Sequence, residues 1–485
     1  MTTVESRVAS ENQLFYRPDG GWVGDPMPCY HEGEFYVYYQ CDRRQPAAFP
    51  DGEPFGWSLL KTRDLLNGTD FGEVLERGAH DDQEQWLYAG SVIHADDAFW
   101  AFYTGANRDF EHTETPAEKM MIARSADGIT WEKHPEYGFH TPEGFDKDYF
   151  RDPVVVFDEE LAVYRMLVAG RHGEGPRIRR GCLLEFRSAD LMHWEYQGVF
   201  WSPDFHHLLQ MPDLFRVGDW WYLLYSEYDD ERRTRYRMAR SLEGPWLAPA
   251  DDSFDGRAFY AARTIEVEGR RLLFGWNPTR KDGDDLGAWI WGGNLVVHEV
   301  VQRADGSLGV AAAPVLQEAF DGPAEEREPV ELERADGYAE ATIVAESSEC
   351  FRLDMTVTPG PATYAFGIKF YESSEDDLGY VYHFSTGDRQ VRFDLMPNYP
   401  WFLLQNRGLY RPVDLTAGVE HTISLVVDGD ISVLYVDDVA LSSRMGRRPG
   451  QEIKLYVNGG SVRATNIRYS GTPSRKLEVS LPERG

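Results

Sequence analysis

The chain has 485 residues, of which 42% are hydrophobic, 27% charged and 14% aromatic, and its formal net charge is −32. That length gives room for two or three domains, and the composition is that of a soluble globular protein. So acidic a surface repels nucleic acid and anionic lipid, and no apolar stretch approaches a membrane span, so neither nucleic acid nor membrane is expected as a partner.

Read from the N-terminus, residues Met1 to Arg7 lead into no apolar run, so no signal peptide is predicted. The four cysteines, Cys29, Cys41, Cys182 and Cys350, are scattered without metal-ligand spacing. They fit free thiols in a cytoplasmic protein. The abundant aromatics suit pleated strands, and flat rings also stack on sugar faces.

Five runs of aromatic and aliphatic residues then read as buried strands: Phe35 to Gln40, Phe99 to Gly105, Tyr164 to Gly170, Trp220 to Ser226, and Arg271 to Trp276. Their spacing of roughly 50–65 residues is that of β-propeller blades with inserted loops. Ahead of each lies a short segment with a small or polar residue: Gly24-Asp25-Pro26, Ala89-Gly90-Ser91, Arg151-Asp152-Pro153, Gln210-Met211-Pro212-Asp213 and Tyr260-Ala261-Ala262-Arg263. Five copies predict an all-β five-bladed propeller over residues 1–320. The short segments would be the innermost strands, bringing distant polar side chains to one end of a central channel.

Residues 321–329 are polar and charged and read as a linker. Beyond them, 330–485 read as a C-terminal β-sandwich, with strands at Cys350 to Val357, Tyr364 to Phe370, Tyr380 to Ser385, Val391 to Leu395, His421 to Val427, and Ile431 to Val436. Asp428-Gly429-Asp430 and Asn458-Gly459-Gly460 read as turns, and the tail from Gly471 as loosely ordered. Asn67-Gly68-Thr69 reads as a turn rather than a glycosylation site, and Arg177, Arg179 and Arg180 as a solvated loop. No P-loop, dinucleotide fingerprint or zinc motif is present, so no cofactor or metal is expected.

Gly21-Trp22-Val23-Gly24-Asp25-Pro26, followed by Gly33-Glu34-Phe35-Tyr36-Val37-Tyr38-Tyr39-Gln40, resembles the opening motif of glycoside hydrolase family 32, the invertases, inulinases and levanases. Phe150-Arg151-Asp152-Pro153 resembles its second motif and Met211-Pro212-Asp213-Leu214-Phe215 the region of its third. Phe259-Tyr260-Ala261-Ala262, Phe274-Gly275-Trp276, Trp291-Gly292-Gly293 and Asp305-Gly306-Ser307-Leu308 look like its fifth blade. The resemblance implies a retaining double displacement. Asp25 would be the nucleophile. Asp152 would stabilise the oxocarbenium-like transition state, and Arg151 would orient a carboxylate or contact the sugar. An isolated Asp-Pro also fits a simple turn; the second, at the matching place in repeat three, points to a shared site.

The third motif departs from the family pattern Trp-Glu-Cys-Pro-Asp, for here Gln210 stands where the acid/base Glu belongs. An amide cannot exchange the required proton, and such help is typically worth about 10²–10⁴-fold. Three readings follow. Another group supplies the proton, with Glu227 first, and His206, His207 and Asp213 behind it; the plainer reading of Glu227 is an ordinary solvated turn residue. Or the leaving group needs no proton, and Gln210 orients the attacking water. Or the protein only binds sugar. By the same resemblance Gln40, Trp57 (in Phe55-Gly56-Trp57, where the family has Trp-Gly-His), Ser91 and Tyr260 are sugar-contacting or core positions.

The expected function is a retaining glycoside hydrolase or transglycosidase acting on a small carbohydrate, a fructofuranoside or similar furanoside. The alternative is a non-catalytic carbohydrate-binding protein. An inverting arabinan- or xylan-type propeller fits less well, given the motif order and the appended sandwich.

Overall fold

The computed structural model describes residues 12–375, 377–396 and 407–482. The five apolar runs are strands, Glu34–Asp42, Ala98–Ala106, Val163–His172, Trp220–Ser226 and Arg270–Arg280. Each pairs antiparallel with a preceding inner strand: Met27–His31, Trp86–Ala95, Phe145–Asp158, Gln210–Val217 and Tyr260–Val267. Each inner strand touches the next, and the fifth touches the first, so the ring is closed. The short N-terminal strand Trp22–Val23 pairs with Trp289–Gln302 of blade five on one side and with Glu34–Asp42 of blade one on the other. This zip joins the last blade to the first and leaves no open edge between them.

The inner strands share a local defect. Pairing with the neighbouring strand slips at Tyr88/Gly90, Arg151/Val154, Gln210/Asp213 and Tyr260/Arg263. In three of the four, a non-glycine residue takes positive φ: Asp152 at 58°, Met211 at 49° and Ala261 at 54°. In the second blade Gly90 stands at the bulge, and a Cβ there would lie 2.0 Å from the Phe102 carbonyl oxygen. Bulges bend a strand and re-aim its side chains, and strained backbone of this kind gathers at functional sites. The short segments singled out in the sequence are these bulges, or in blade one the loop before the strand.

The remaining strands form a β-sandwich around a second core that includes Phe351, Phe370, Tyr382 and Leu455. Its longest strand, Glu452–Ser470, pairs through its first half with Ala365–Ser373 and through its second with Cys350–Pro359, so it links the two halves of the sandwich. Asn458-Gly459-Gly460, read from sequence as a turn, lies inside this strand. Gly459 and Gly460 take φ of 69° and 85° opposite a slip in the partner strand Val330–Val344. Glycine supplied a bulge there, not a chain reversal. The tail, read as loosely ordered, returns to blade one as the strand Glu478–Ser480, parallel to Asn67–Thr69. Within 321–329, Glu325–Glu326 pairs with the long strand.

The sandwich packs on the propeller through buried polar groups and shared apolar core. Asp255 accepts from Ser442 N at 2.7 Å and lies 3.1 Å from His298 Nε2. His298 Nδ1 lies 2.9 Å from the Tyr435 hydroxyl, which belongs to the sandwich. Val433, Tyr435 and Ala440 join the core cluster of blades one, four and five. Among the described residues no helix is long and apolar enough to cross a membrane.

Candidate active site

The N-terminal ends of the inner strands surround a cavity of about 310 Å³, a volume suited to a sugar ring and its substituents. Its lining brings together Asp25, Gln40, Arg151, Asp152, Gln210 and Tyr260, six of the residues singled out from sequence. Aromatic walls complete it: Phe49, Phe55, Tyr88 and Trp291 belong to one packed cluster, and Tyr149 and Tyr228 also line the cavity. The Trp291 ring is nearly parallel to Phe55, at 8° and 5.7 Å between centroids. It also sets the residue before Asp25, since a Cβ on Gly24 would lie 2.1 Å from the indole.

Each acid is held by a different device. Asp25 Oδ1 accepts from Trp276 Nε1 at 2.9 Å. Asp152 Oδ2 accepts from the Met211 amide at 3.0 Å, and its own amide donates to Thr104 Oγ1 at 3.1 Å. The bulges of blades three and four are therefore tied to each other. Beneath them the buried Arg263 donates to the carbonyls of Gly90 at 2.7 Å, Pro153 at 3.0 Å and Asp152 at 2.9 Å, joining three inner strands across the channel.

Burial pushes the Asp25 carboxyl up to about 7, with the Asp152 charge adding to it and the Trp276 hydrogen bond opposing it. Burial also raises Asp152, against the pull of Arg151 and the Met211 amide. Two buried acids in one cavity, both raised by burial and one raised further by the other's charge, are a functional signature rather than a stabilising one. Arg151 is clamped by Glu118, with Nε 3.1 Å from Oε2 and a second close contact from Nη2 to Oε1, and lies over the Tyr88 and Tyr149 rings. Burial lifts Glu118 to about 7 despite this pairing.

Residues 15–297 match the family model of the glycosyl hydrolases family 32 N-terminal domain. The chain belongs to glycosyl hydrolase family 32. A sucrose-6-phosphate hydrolase of Staphylococcus xylosus is 25% identical over 341 residues, 63% of this chain and 64% of the relative. One from Escherichia coli is 22% identical over 479 residues, 91% of each. The chain thus spans just under two thirds of the S. xylosus relative, and 55% of a Bacillus subtilis one. Among solved structures, fructan 1-exohydrolase IIa of Cichorium intybus superposes with a TM-score of 0.76 at 16% identity, covering 99% of this chain and all of that one. The same chicory enzyme has been solved as a Glu-to-Gln variant with 1-kestose bound, and superposes equally well at 15% identity.

In this family-32 chain the other predicted site residues lie elsewhere. Glu227 is fully buried and turned away from the cavity lining. Its carboxylate accepts from the amides of Asp230 at 2.9 Å, Glu231 at 3.2 Å and Arg233 at 3.3 Å. The strand before it does end at the cavity, but the turn 227–233 holds the side chain outside the cavity lining. Trp57 is buried behind the wall and donates from Nε1 to the Tyr88 carbonyl at 3.0 Å. Ser91 faces the far end of the channel, where its hydroxyl accepts from Val155 N at 3.2 Å. Asp213 faces the same way, bonded to Thr264. His207 packs behind the cavity, edge-on to the Tyr149 and Tyr228 rings.

Sequence reasoning missed Glu118, the aromatic walls, and the edge residues Arg108, Glu111 and Arg232. Glu118 had a signal, a buried carboxylate opening the strand Glu118–Ser125 just ahead of the apolar run Met120 to Ala123. Gln210 lines the cavity and its Oε1 accepts from the Tyr260 hydroxyl at 3.2 Å. Gln40 Oε1 is buried without a hydrogen-bond partner among the described residues.

Proposed function

We propose that the chain is a retaining glycoside hydrolase or transglycosidase acting on a fructofuranoside, with Asp25 as nucleophile and Asp152 as the group that stabilises positive charge at the reacting carbon. The observation that carries this is the meeting of Asp25 and Asp152, from blades one and three, in one sugar-sized cavity. Asp25 would attack the anomeric carbon as the glycosidic bond breaks, giving a glycosyl ester; water or a second hydroxyl would then displace the Asp25 carboxylate from that carbon and lose its proton to solvent. Gln40 Oε1, left without a partner, would accept a sugar hydroxyl.

Gln210 changes the first half of this reaction. Because Tyr260 occupies its carbonyl oxygen, the amide N–H₂ is left to hydrogen-bond the glycosidic oxygen without giving up a proton. Glu227 is held by its own turn outside the cavity lining and does not replace it. The enzyme would therefore favour leaving groups that depart without protonation. The relatives named as sucrose-6-phosphate hydrolases, together with Arg108 and Arg232 at the cavity edge, support a phosphorylated saccharide as substrate. The proposal includes residues 1–320 as the catalytic unit, 321–329 as linker and 330–485 as its support. It also includes a cytoplasmic location, supported by four unpaired cysteines.

The test is turnover of a fructofuranosyl fluoride or nitrophenyl fructofuranoside. Wild type should release product and Asp25→Asn should not. A second reading, a sugar-binding protein without turnover, is favoured by the amide at Gln210. It predicts saturable binding of fructosides with no release from either substrate.

A further inference from the structure

Blade four holds a buried group that the sugar chemistry leaves unused. His206, Glu227 and Asp229 present one ring nitrogen and two carboxylate oxygens within 4.8 Å of one another. His206 is 4% exposed and Glu227 fully buried. His206 Nδ1 lies 3.5 Å from Asp229 Oδ1. Both atoms are buried, and apart from this loose contact with each other neither has a well-aligned hydrogen bond among the described residues. Polar atoms buried in this state are costly unless something occupies the space between them.

We infer that this group is a binding site for one divalent transition-metal ion, Zn²⁺ or Mn²⁺. Two ligand atoms held about 2.0–2.1 Å from one ion in a tetrahedral site lie roughly 3.4 Å apart, close to the His206–Asp229 separation. An imidazole beside two carboxylates suits these ions, whereas Ca²⁺ and Mg²⁺ take all-oxygen sites. Glu227 Oε1 already accepts from Glu231 and Arg233, but Oε2 takes only the Asp230 amide and keeps a lone pair for a metal. Arg235 approaches Glu227 Oε1 at 3.5 Å, and its charge is shared with Asp252 at 2.7 Å and Asp230 at 3.3 Å.

The position gives such an ion a structural consequence. Asp229 Oδ2 accepts from the His207 amide at 3.0 Å, and the His207 ring braces Tyr149 and Tyr228, two walls of the sugar cavity. An ion would fasten residues 206–207 to the turn that begins at Glu227 and hold that wall in place. It takes no part in bond breaking.

The experiment uses the full chain, stripped with chelator, re-equilibrated separately with Zn²⁺, Mn²⁺ or Ca²⁺, desalted and measured by elemental mass spectrometry and thermal melting. Wild type should retain one equivalent of Zn²⁺ or Mn²⁺ and show a Tm that climbs with metal concentration. Ca²⁺ should do neither. His206→Ala and Asp229→Asn should each lose that equivalent and the Tm response; the second variant keeps the side-chain shape should the first fold poorly. His94→Ala removes one ring of the stacked His31–His94 pair and should lose nothing. Equal retention in wild type and both variants, or an unresponsive Tm, would overturn the site and leave a plain His–Asp ion pair.

Discussion

The two ends of the propeller channel are built from the same five inner strands, yet they are chemically unlike. The far end opens into the larger cavity, about 820 Å³, against about 310 Å³ at the sugar end. At the far end the carboxylate is spoken for: Asp213 accepts from Leu214 N at 2.9 Å, from Thr264 N at 2.8 Å and from Thr264 Oγ1 at 2.6 Å. At the sugar end, among the described residues, Asp25 has one side-chain hydrogen bond and Gln40 Oε1 none, and the Asp152 charge bears on Asp25. Size does not choose between them. Groups left wanting partners, at the cost of stability, mark the end where a ligand belongs.

The hardest way to break this comparison is to neutralise one acid at each end. Asp25→Asn should lower turnover of an activated fructofuranoside by about 10³-fold or more, while Asp213→Asn should leave kcat within a few-fold. Thermal melts should move oppositely. Asp213→Asn loses charged hydrogen bonds worth about 1.5–3 kcal/mol and should melt lower. Asp25→Asn should melt higher, and the sign follows from linkage. With its carboxyl at about 7 rather than 3.8, folded Asp25 holds a proton that the unfolded chain has already released. Its contribution to stability therefore falls as pH rises from 4 to 7, and the advantage of the Asn variant should grow across that window and level off above it.

The next test sharpens the reading of the sugar end. Gln210→Glu should raise turnover of sucrose-like substrates by about 10²–10⁴-fold. In wild type, kcat/KM should climb with pH through about 7 as Asp25 ionises, with no falling limb from residue 210. The Glu variant should add one and give a bell. A smaller effect is expected from Trp57→Phe, which removes the hydrogen bond to the Tyr88 carbonyl. It should cost about 1 kcal/mol of stability and shift KM a few-fold through Tyr88, with kcat little changed.

The ring was legible because a short segment with small or polar residues recurs just before each long apolar run; the six cavity residues were legible through the family resemblance that these segments and Gln40, at the end of the first run, carry. What lay outside the pattern was anything decided by local direction. Ser91 sits one residue past Gly90, and in a strand one step is enough to face the opposite way. Glu227 was placed by where its strand ends, but turn amides claim its carboxylate, and strand periodicity carries no record of them. Trp57 lies one shell behind the cavity, where ring order in Phe55-Gly56-Trp57 decides which aromatic faces the sugar; Phe55 does. In the sandwich, Gly459 and Gly460 serve bulge and turn equally well, so only the partner strand distinguishes them.

The central claim is that Asp25 carries the sugar covalently. An activated fructofuranoside mixed with enzyme and quenched within one turnover should yield a peptide containing Asp25 that bears one hexosyl residue. The adduct should accumulate, since Gln210 cannot act as the base for its hydrolysis. Product release with no such adduct, or an adduct on a peptide lacking Asp25, would contradict the account.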